Sequence, residues 1–230
     1  MVEQAQISSN LGGNHAEASI RFSEIAELEK PLQRIIEGIL RSGNTYDLII
    51  GDDTSGRIPT LVLGKFLNYH YRASGRSPIP IRFVGGGRFS TDLRSGELEV
   101  IRTRMNYQPI RALLVTDYID CGSTARDFGN YFKANDISYD VASIALRMNE
   151  SVYRETKVLP NGVDFYFGES YDPTIHKKPY LTGLNRARTL GERVIRDGPA
   201  FGRKVREARQ DVNVLVQRLI SHFSSEPTLH

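Results

Sequence analysis

Residues 112–134 read ALLVTDYIDCGSTARDFGNYFKA. The stretch begins as a short apolar run, passes through two aspartates and a Gly-Ser-Thr turn, and continues with helical spacing from Thr124 to Ala134. A buried strand that leads through small turn residues into a helix is the repeating half-unit of a parallel α/β sheet. The stretch therefore predicts an α/β fold, which the rest of the chain should repeat.

Strand-like and helix-like segments alternate along the remaining sequence. Four more apolar runs have the length of buried strands: 46–51, 79–84, 140–146 and 163–167. Apolar residues recur at helical spacing over 23–40, where Pro31 is expected to kink or split the helix, over 58–71, and from Pro199 onward. We predict a five-stranded, mainly parallel sheet flanked by helices, with functional residues directly after the strands.

The composition excludes several classes of protein. The chain has 230 residues and 25.9 kDa, which suits one domain with or without an appendage. The single cysteine, Cys121, cannot form an internal disulfide, and no apolar run reaches the roughly 18 residues needed to cross a bilayer. The first residues lack the basic and apolar parts of a signal peptide. We therefore expect a cytoplasmic protein in a reducing compartment, with no membrane partner.

Charge and composition divide the chain into three parts. Residues 1–18 are polar and without periodicity, which predicts a disordered tail; 19–175 is the predicted α/β domain, and 176–230 a basic helical extension or hood. The net charge of +3 hides this division, because 176–209 has ten Lys or Arg against three Asp or Glu and the rest sums to −4. The basic residues form a solvated or subunit-contacting face, or bind nucleic acid. They are Lys177, Lys178, Arg186, Arg188, Arg193, Arg196, Arg203, Lys204, Arg206 and Arg209.

The turn after the strand at 112–115 combines carboxylates with a potential phosphate cradle. Asp117 and Asp120 precede Gly122-Ser123-Thr124, whose backbone N–H groups would begin a helix. Such N–H groups and the helix dipole together bind anions, and small residues allow a phosphate to come close. This pattern suits a ligand with hydroxyls beside its phosphate, such as a ribose 5-phosphate. In the alternative interpretation, Ser123 or Thr124 only caps the helix and the aspartates are solvated.

The whole string resembles the phosphoribosyl pyrophosphate motif of the type I phosphoribosyltransferases. That motif is an apolar strand, two adjacent acids, two apolar residues, an Asp and then Thr-Gly-x-Thr; Asp117 matches the second acid and Asp120 the third. The resemblance implies that Asp117 and Thr116 hold the ribose hydroxyls and that Asp120 assists proton transfer. It thus implies that Asp117 and Asp120 are the catalytic residues. It implies that the 5-phosphate is held by Cys121, Gly122, Ser123 and Thr124.

Two positions depart from the family pattern. Thr116 occupies the place of the first paired acid, and Cys121 the place of a threonine. The lost carboxylate removes a charge-assisted hydrogen bond of about 1.5–3 kcal/mol, although a threonine hydroxyl can still bond a ribose hydroxyl. The alternative is therefore a non-catalytic regulator that binds a phosphoribosyl or nucleotide ligand and signals through the basic C-terminal helix.

The loop after the first strand offers a second phosphate site. It contains Asp53, Thr54, Ser55, Gly56 and Arg57. Hydroxyls, backbone N–H groups and a bidentate arginine bind phosphate, and Asp53 can hold a water on Mg²⁺. Ser-Gly-Arg-Ile-Pro at 55–59 looks like a variant of the pyrophosphate loop of the same family, which implies a diphosphate and Mg²⁺ here. Otherwise Ser55 caps the next helix and Arg57 is a surface residue.

The resemblance assigns further parts of the site. The span 85–109 is long for a connection between strands, and in the family it holds a flexible hairpin that closes over the site. Its candidates to reach the diphosphate are Arg88, Arg102 and Arg104. Tyr166 or Phe167 can stack on a base, although alternating aromatics on a strand are more often core residues.

Together these features predict a phosphoribosyltransferase-like protein. Its partners would be phosphoribosyl pyrophosphate, a nitrogenous base or nucleotide, Mg²⁺ as cofactor and a second copy in a homodimer. The predicted reaction transfers the 5-phosphoribosyl group to the base and releases pyrophosphate.

Overall fold

The structure, a computed structural model, describes residues 19–52, 56–84, 103, 110–119, 122–147, 162–170 and 199–225. Its strands are β1 (Leu48–Asp52), β2 (Ile81–Val84), β3 (Ile110–Ile119), β4 (Ile137–Leu146) and β5 (Phe165–Ser170). Its helices are α1 (Ser23–Ala26), α2 (Glu29–Ser42), α3 (Arg57–Ala73), α4 (Ser123–Ala134) and α5 (Pro199–Ser225). Each predicted apolar run overlaps one strand, and no helix within these ranges is long and apolar enough to cross a membrane.

The five strands form one sheet in the order β2-β1-β3-β4-β5, and every neighbouring pair is parallel. The α/β fold with a five-stranded parallel sheet is thus confirmed. The predicted hairpin falls within 85–109, of which the structure describes only Thr103, and the predicted tail at 1–18 lies outside the described residues. The predicted domain boundaries stay a prediction.

Helices cover both faces of the sheet. On one face, Ile49, Leu113 and Ile144 belong to a buried cluster with α1, α2, α3 and α5. On the other face, Ile50 and Leu114 pack with Phe128 and Phe132 of α4. The helices α3 and α4 fall on opposite faces because right-handed connections move the chain in opposite directions across the sheet, from β1 to β2 and from β3 to β4.

Two local features of the sequence fix how α2 lies on the sheet. Pro31 is the third residue of α2, and the predicted helix is split before it into α1 and α2. Gly168 of β5 lets α2 approach, because a Cβ there would lie 2.7 Å from the carbonyl oxygen of Ile144 and would meet the ring of Pro31. Small size at 168 is therefore required by packing.

The C-terminal helix α5 is part of the same core. Its apolar face, predicted from the spacing of its residues, is buried at Val212, Leu215 and Leu219 against the cluster around α3. The rings of Phe223 and Phe66 meet edge to face, with centroids 5.5 Å apart. The described part of α5 therefore stabilises the sheet domain directly.

Candidate functional site

The two loops singled out in the sequence leave neighbouring strands at the same edge of the sheet. Gly51 of β1 pairs with Val115 of β3, so the carboxyl ends of both strands lie at this edge, where β1 ends at Asp52 and β3 continues to Ile119. The strand order also reverses direction here, since β2 lies on one side of β1 and β3, β4 and β5 lie on the other. In open α/β sheets, ligands bind in the crevice at this reversal point.

Only part of the predicted site lies within the described residues. Those described with their side chains are Thr116, Asp117, Gly122, Gly56 and Arg57, while Ser123 and Thr124 are placed by backbone as the first residues of α4. Outside the described residues lie Asp53, Thr54, Ser55, Arg88, Arg102, Arg104, Asp120 and Cys121. The structure thus brings the two loops to one edge through their flanking residues.

Thr116 and Asp117 differ in what they offer a ligand. The Thr116 side chain is only 7% exposed, and its hydroxyl lies 3.5 Å from the carbonyl oxygen of Tyr118, at the limit of a hydrogen bond. Asp117 is half-buried and follows Thr116 on β3. Because successive residues of a strand point to opposite faces, the two side chains diverge. Asp117 is therefore the more accessible of the two.

Gly122 sets the geometry of the turn into α4. It is the N-cap of the helix and has φ 71° and ψ 11°, in the left-handed region that favours glycine. The N–H of Arg126 donates to its carbonyl oxygen at 2.9 Å, which closes the first turn. A glycine is required here by backbone conformation, so this part of the sequence pattern has a structural cause.

Gly56 and Arg57 begin α3 at the same edge. Gly56 is the buried N-cap and Arg57 the exposed first residue of the helix. The Arg57 guanidinium carbon lies 4.8 Å from the ring centroid of Phe83, near the end of β2. The first turn of α3 contains no acidic residue. The start of this helix therefore presents positive charge.

Cations are frequent among the described residues around this edge. Arg126 is exposed on α4, and the exposed Arg147 follows β4, where its backbone N–H donates to the carbonyl oxygen of Ile119 at 3.0 Å. Arg57, also exposed, begins α3 after β1, and Asp117, a half-buried acid, lies on β3. The three arginines favour anionic ligands at this edge, and the Asp117 carboxylate would favour a metal ion bound to such a ligand.

The described residues offer few side-chain ligands for Mg²⁺. Within the described ranges no three His, Cys, Asp or Glu side chains converge as a metal-binding group. Mg²⁺ is commonly held by one or two carboxylates together with phosphate oxygens of the substrate, and one such carboxylate, that of Asp117, is present. Mg²⁺ at this edge would therefore depend mainly on the oxygens of a diphosphate ligand, and Asp53, the carboxylate predicted to bond its water, lies outside the described residues.

A buried polar cluster at the opposite, amino-end edge of the sheet was not predicted from sequence. Asp140 of β4 is fully buried, and its Oδ2 accepts hydrogen bonds from the Tyr46 hydroxyl and from Nε of Arg111, both at 2.9 Å. Its Oδ1 accepts from the N–H of Asp164 at 2.9 Å. The only sequence signal was an acidic residue at the start of an otherwise apolar run.

The cluster also perturbs ionisation. Burial, then a hydrogen bond with Tyr166 and the charge of Asp140, raises the pKa of Tyr46 well above its ordinary value of 10.0. Burial acts to lower the pKa of Arg111, but its hydrogen bond and ion pair with Asp140 outweigh this and raise it. Both shifts keep the Tyr46 hydroxyl protonated and the Arg111 side chain charged.

Tyr166 belongs to this cluster and not to the carboxyl edge. It is 7% exposed, its ring packs against Gly38 of α2, and its hydroxyl donates to the Ser42 hydroxyl at 2.9 Å. It therefore has no face open to stack on a base. Phe167 is half-buried on the other face of the sheet, where its ring stacks on Phe165 with centroids 5.7 Å apart.

Comparisons with known proteins find similarity among solved structures. No family model and no curated protein matches the sequence. Among solved structures, the chain is similar to hypoxanthine-guanine phosphoribosyltransferase from Schistosoma mansoni in complex with IMP, at 19% identity and a TM-score of 0.37. The match covers 64% of this chain and 64% of that one.

Proposed function

We propose that the chain is a phosphoribosyltransferase-like protein that binds phosphoribosyl pyrophosphate with Mg²⁺ and transfers its 5-phosphoribosyl group to a nitrogenous base. The bond between ribose C1 and a pyrophosphate oxygen breaks, a bond from C1 to a ring nitrogen forms, and the proton of that nitrogen leaves. The products are a nucleoside monophosphate and pyrophosphate. In this proposal the protein works as a homodimer in the cytoplasm.

The observation that supports this proposal is the adjacency of the two loops. The paired strands β1 and β3 end at Asp52 and Ile119 at the reversal point of the sheet, and α3 and α4 begin shortly after them, at Arg57 and Ser123. A ligand with phosphates at both ends of a ribose needs two anion sites a few ångströms apart, with hydroxyl-binding groups between them. The starts of α3 and α4 and the half-buried carboxylate of Asp117 at this edge support the proposal.

The roles follow from position. Asp117 would bind the ribose hydroxyls, and the helix start at 121–124 would hold the 5-phosphate. Asp120, three residues after Asp117, would take the proton of the base. Asp53 to Arg57 would hold the diphosphate, with Asp53 bonding a water of Mg²⁺. Mg²⁺, when bound, neutralises charge on the leaving pyrophosphate.

The experiment is a turnover assay with matched acid variants. The protein is mixed with phosphoribosyl pyrophosphate, Mg²⁺ and a panel of bases, and pyrophosphate release is followed. We expect Asp120→Asn to lower the rate at least about 100-fold, the usual contribution of a general base, and Asp127→Asn, an exposed acid on α4, to leave it unchanged. Equal rates for wild type and Asp120→Asn would refute the assigned role.

A second function is favoured by one observation. Thr116, which replaces an acid of the family motif, is nearly buried, so that half of the ribose grip is weak. A protein that binds the ligand without turning it over would tolerate this. Tight binding of phosphoribosyl pyrophosphate with no pyrophosphate release across the panel would establish such a regulator and reject the enzyme.

A further inference from the structure

Arg57 stands where the helix dipole disfavours a cation. As the first residue of α3 it lies at the positive end of the dipole, and the first turn holds no acid to compensate. By contrast, α1 and α2 each carry a glutamate in the first turn, as the dipole prefers. A bound polyanion would interact favourably with both the helix dipole and the Arg57 guanidinium.

The Arg57 side chain contacts the ring of Phe83 at the start of α3. The guanidinium carbon is 4.8 Å from the ring centroid, within the range of a cation–π contact. Phe83 pairs with Gly51 in the parallel register of β1 and β2, so both residues face the same side of the sheet. A Cβ at Gly51 would meet Thr60 of α3, which identifies that side as the one covered by α3. The ring therefore lies beside the end of β1 and under the start of α3.

We propose that Phe83 is a positioning residue for the diphosphate half of the site, holding the Arg57 guanidinium so that it binds the diphosphate with two parallel N–H donors. This inference rests on the proposed function, because it assumes that a diphosphate occupies the crevice between β1 and β3. A guanidinium held over an aromatic ring has a restricted orientation, and it can still donate in its own plane to two phosphate oxygens. Without the ring, the side chain would lose rotamer freedom on binding, which weakens affinity.

A double-mutant cycle tests the proposal. The binding of pyrophosphate with Mg²⁺ is measured by calorimetry for wild type, Phe83→Leu, Arg57→Gln and the double variant. The immobilisation of one flexible side chain on binding corresponds to about a two- to tenfold change in affinity, so we expect a loss in that range for Phe83→Leu. The same change should have no effect when Arg57→Gln is already present.

Three controls separate positioning from folding. Phe83→Tyr keeps a ring and should bind pyrophosphate as wild type does. Arg76→Gln removes the equivalent contact beyond the other end of α3, where Arg76 lies 4.6 Å from the ring centroid of Tyr71, and should also leave binding unchanged. Urea midpoints of all variants report on the fold, and a Phe83→Leu chain that fails to fold is replaced by Phe83→Met.

The binding measurements distinguish the positioning role of Phe83 from the proposed function. Wild-type affinity in Phe83→Leu, or an equal loss in both backgrounds, overturns the positioning role while leaving the proposed function intact. A wild-type protein that binds neither pyrophosphate nor phosphoribosyl pyrophosphate overturns the proposed function and this inference together.

Discussion

Asp140 is a fully buried carboxylate whose charge is compensated by Arg111, with Nη2 at 2.8 Å from Oδ2. Asp164 lies 3.7 Å from the same guanidinium group, but its side chain is 54% exposed. Removal of one partner of a buried pair is costly because the other charge remains without compensation, whereas an exposed pair contributes little. Asp140→Ala should therefore lower the free energy of unfolding by about 3–5 kcal/mol, and Asp164→Ala by at most about 1 kcal/mol. Urea unfolding measures both, and similar losses would contradict the assignment.

Tyr46 links this cluster to the pH dependence of stability. Burial raises the pKa of Tyr46 above its ordinary value of 10.0, so the folded state binds a proton that the unfolded state releases above about pH 10. This stability is present below that pH and is lost as pH rises, at up to about 1.4 kcal/mol per pH unit. Tyr46→Phe should be less stable at pH 7 by about 1–3 kcal/mol, yet decline less steeply between pH 10 and 11.5. Urea unfolding of both proteins across this pH range measures the difference, and an equal decline in their free energies of unfolding would refute the prediction. Tyr69→Phe, at an exposed position on α3, is the neutral control.

Single residues also show where sequence reasoning stops. Gly122 and Asp117 were identified because a Gly-Ser-Thr turn and an acid after an apolar run are local features of the sequence. The partners of Asp140 could not be predicted, since Arg111 and Tyr46 are 29 and 94 residues away in the chain. The burial of Thr116 likewise depends on the packing of α4 and β4 around β3, and no local pattern encodes it.

At the scale of elements, Asp211 joins α5 to the start of α1. Its carboxylate is 2% exposed, and Oδ2 accepts from the backbone N–H groups of Arg21 and Phe22 at 2.8 and 2.9 Å. Asp211→Ala leaves both donors without this acceptor and should lower the free energy of unfolding by about 2–4 kcal/mol, while Asp211→Asn, which keeps one oxygen, should lose less. Glu207→Ala, which removes a partly exposed contact with Arg21 at 3.8 Å, should cost under about 1 kcal/mol. Guanidinium unfolding ranks the three, and an Asp211→Ala chain as stable as Glu207→Ala would exclude the clamp.

The elements themselves were largely predictable from periodicity. All five strands and the long helices coincide with apolar runs, because burial on both sheet faces forces such runs into the sequence. The bounds moved at β3 and β4, which begin before the predicted runs, at Ile110 and Ile137. The sequence pattern did not indicate these starts, because Arg111 and Tyr139 have polar side chains. Their backbones nevertheless belong to the paired region of β3 and β4. The prediction that Thr116 and Asp117 lie in the turn after β3 was wrong, because β3 continues past Val115 to Ile119 in the ladder with β4.

At the scale of the whole molecule, strand order could not be read from the sequence. Alternation predicts a parallel sheet, but the order β2-β1-β3-β4-β5 depends on long-range pairing. That order places the carboxyl ends of β1 and β3 next to each other at the reversal point. The sequence pattern predicted two phosphate loops, and the proposed function treats them as parts of one site.

In the proposed site, the loop after β1 binds pyrophosphate and the loop after β3 binds ribose 5-phosphate. We therefore expect the protein to respond to each of these ligands separately. Pyrophosphate with Mg²⁺ and ribose 5-phosphate should each raise the melting temperature, because a ligand at 100 times its Kd adds about 2.7 kcal/mol, or on the order of 5–10 °C for a chain of this size. Arg57→Gln, at the end of β1, should abolish the response to pyrophosphate and keep that to ribose 5-phosphate. Asp117→Asn, at the end of β3, should do the reverse. Differential scanning fluorimetry measures all four combinations, with Arg76→Gln as the matched surface control. If either variant loses both responses with an unchanged melting temperature of its own, the two loops do not bind separate halves of one ligand.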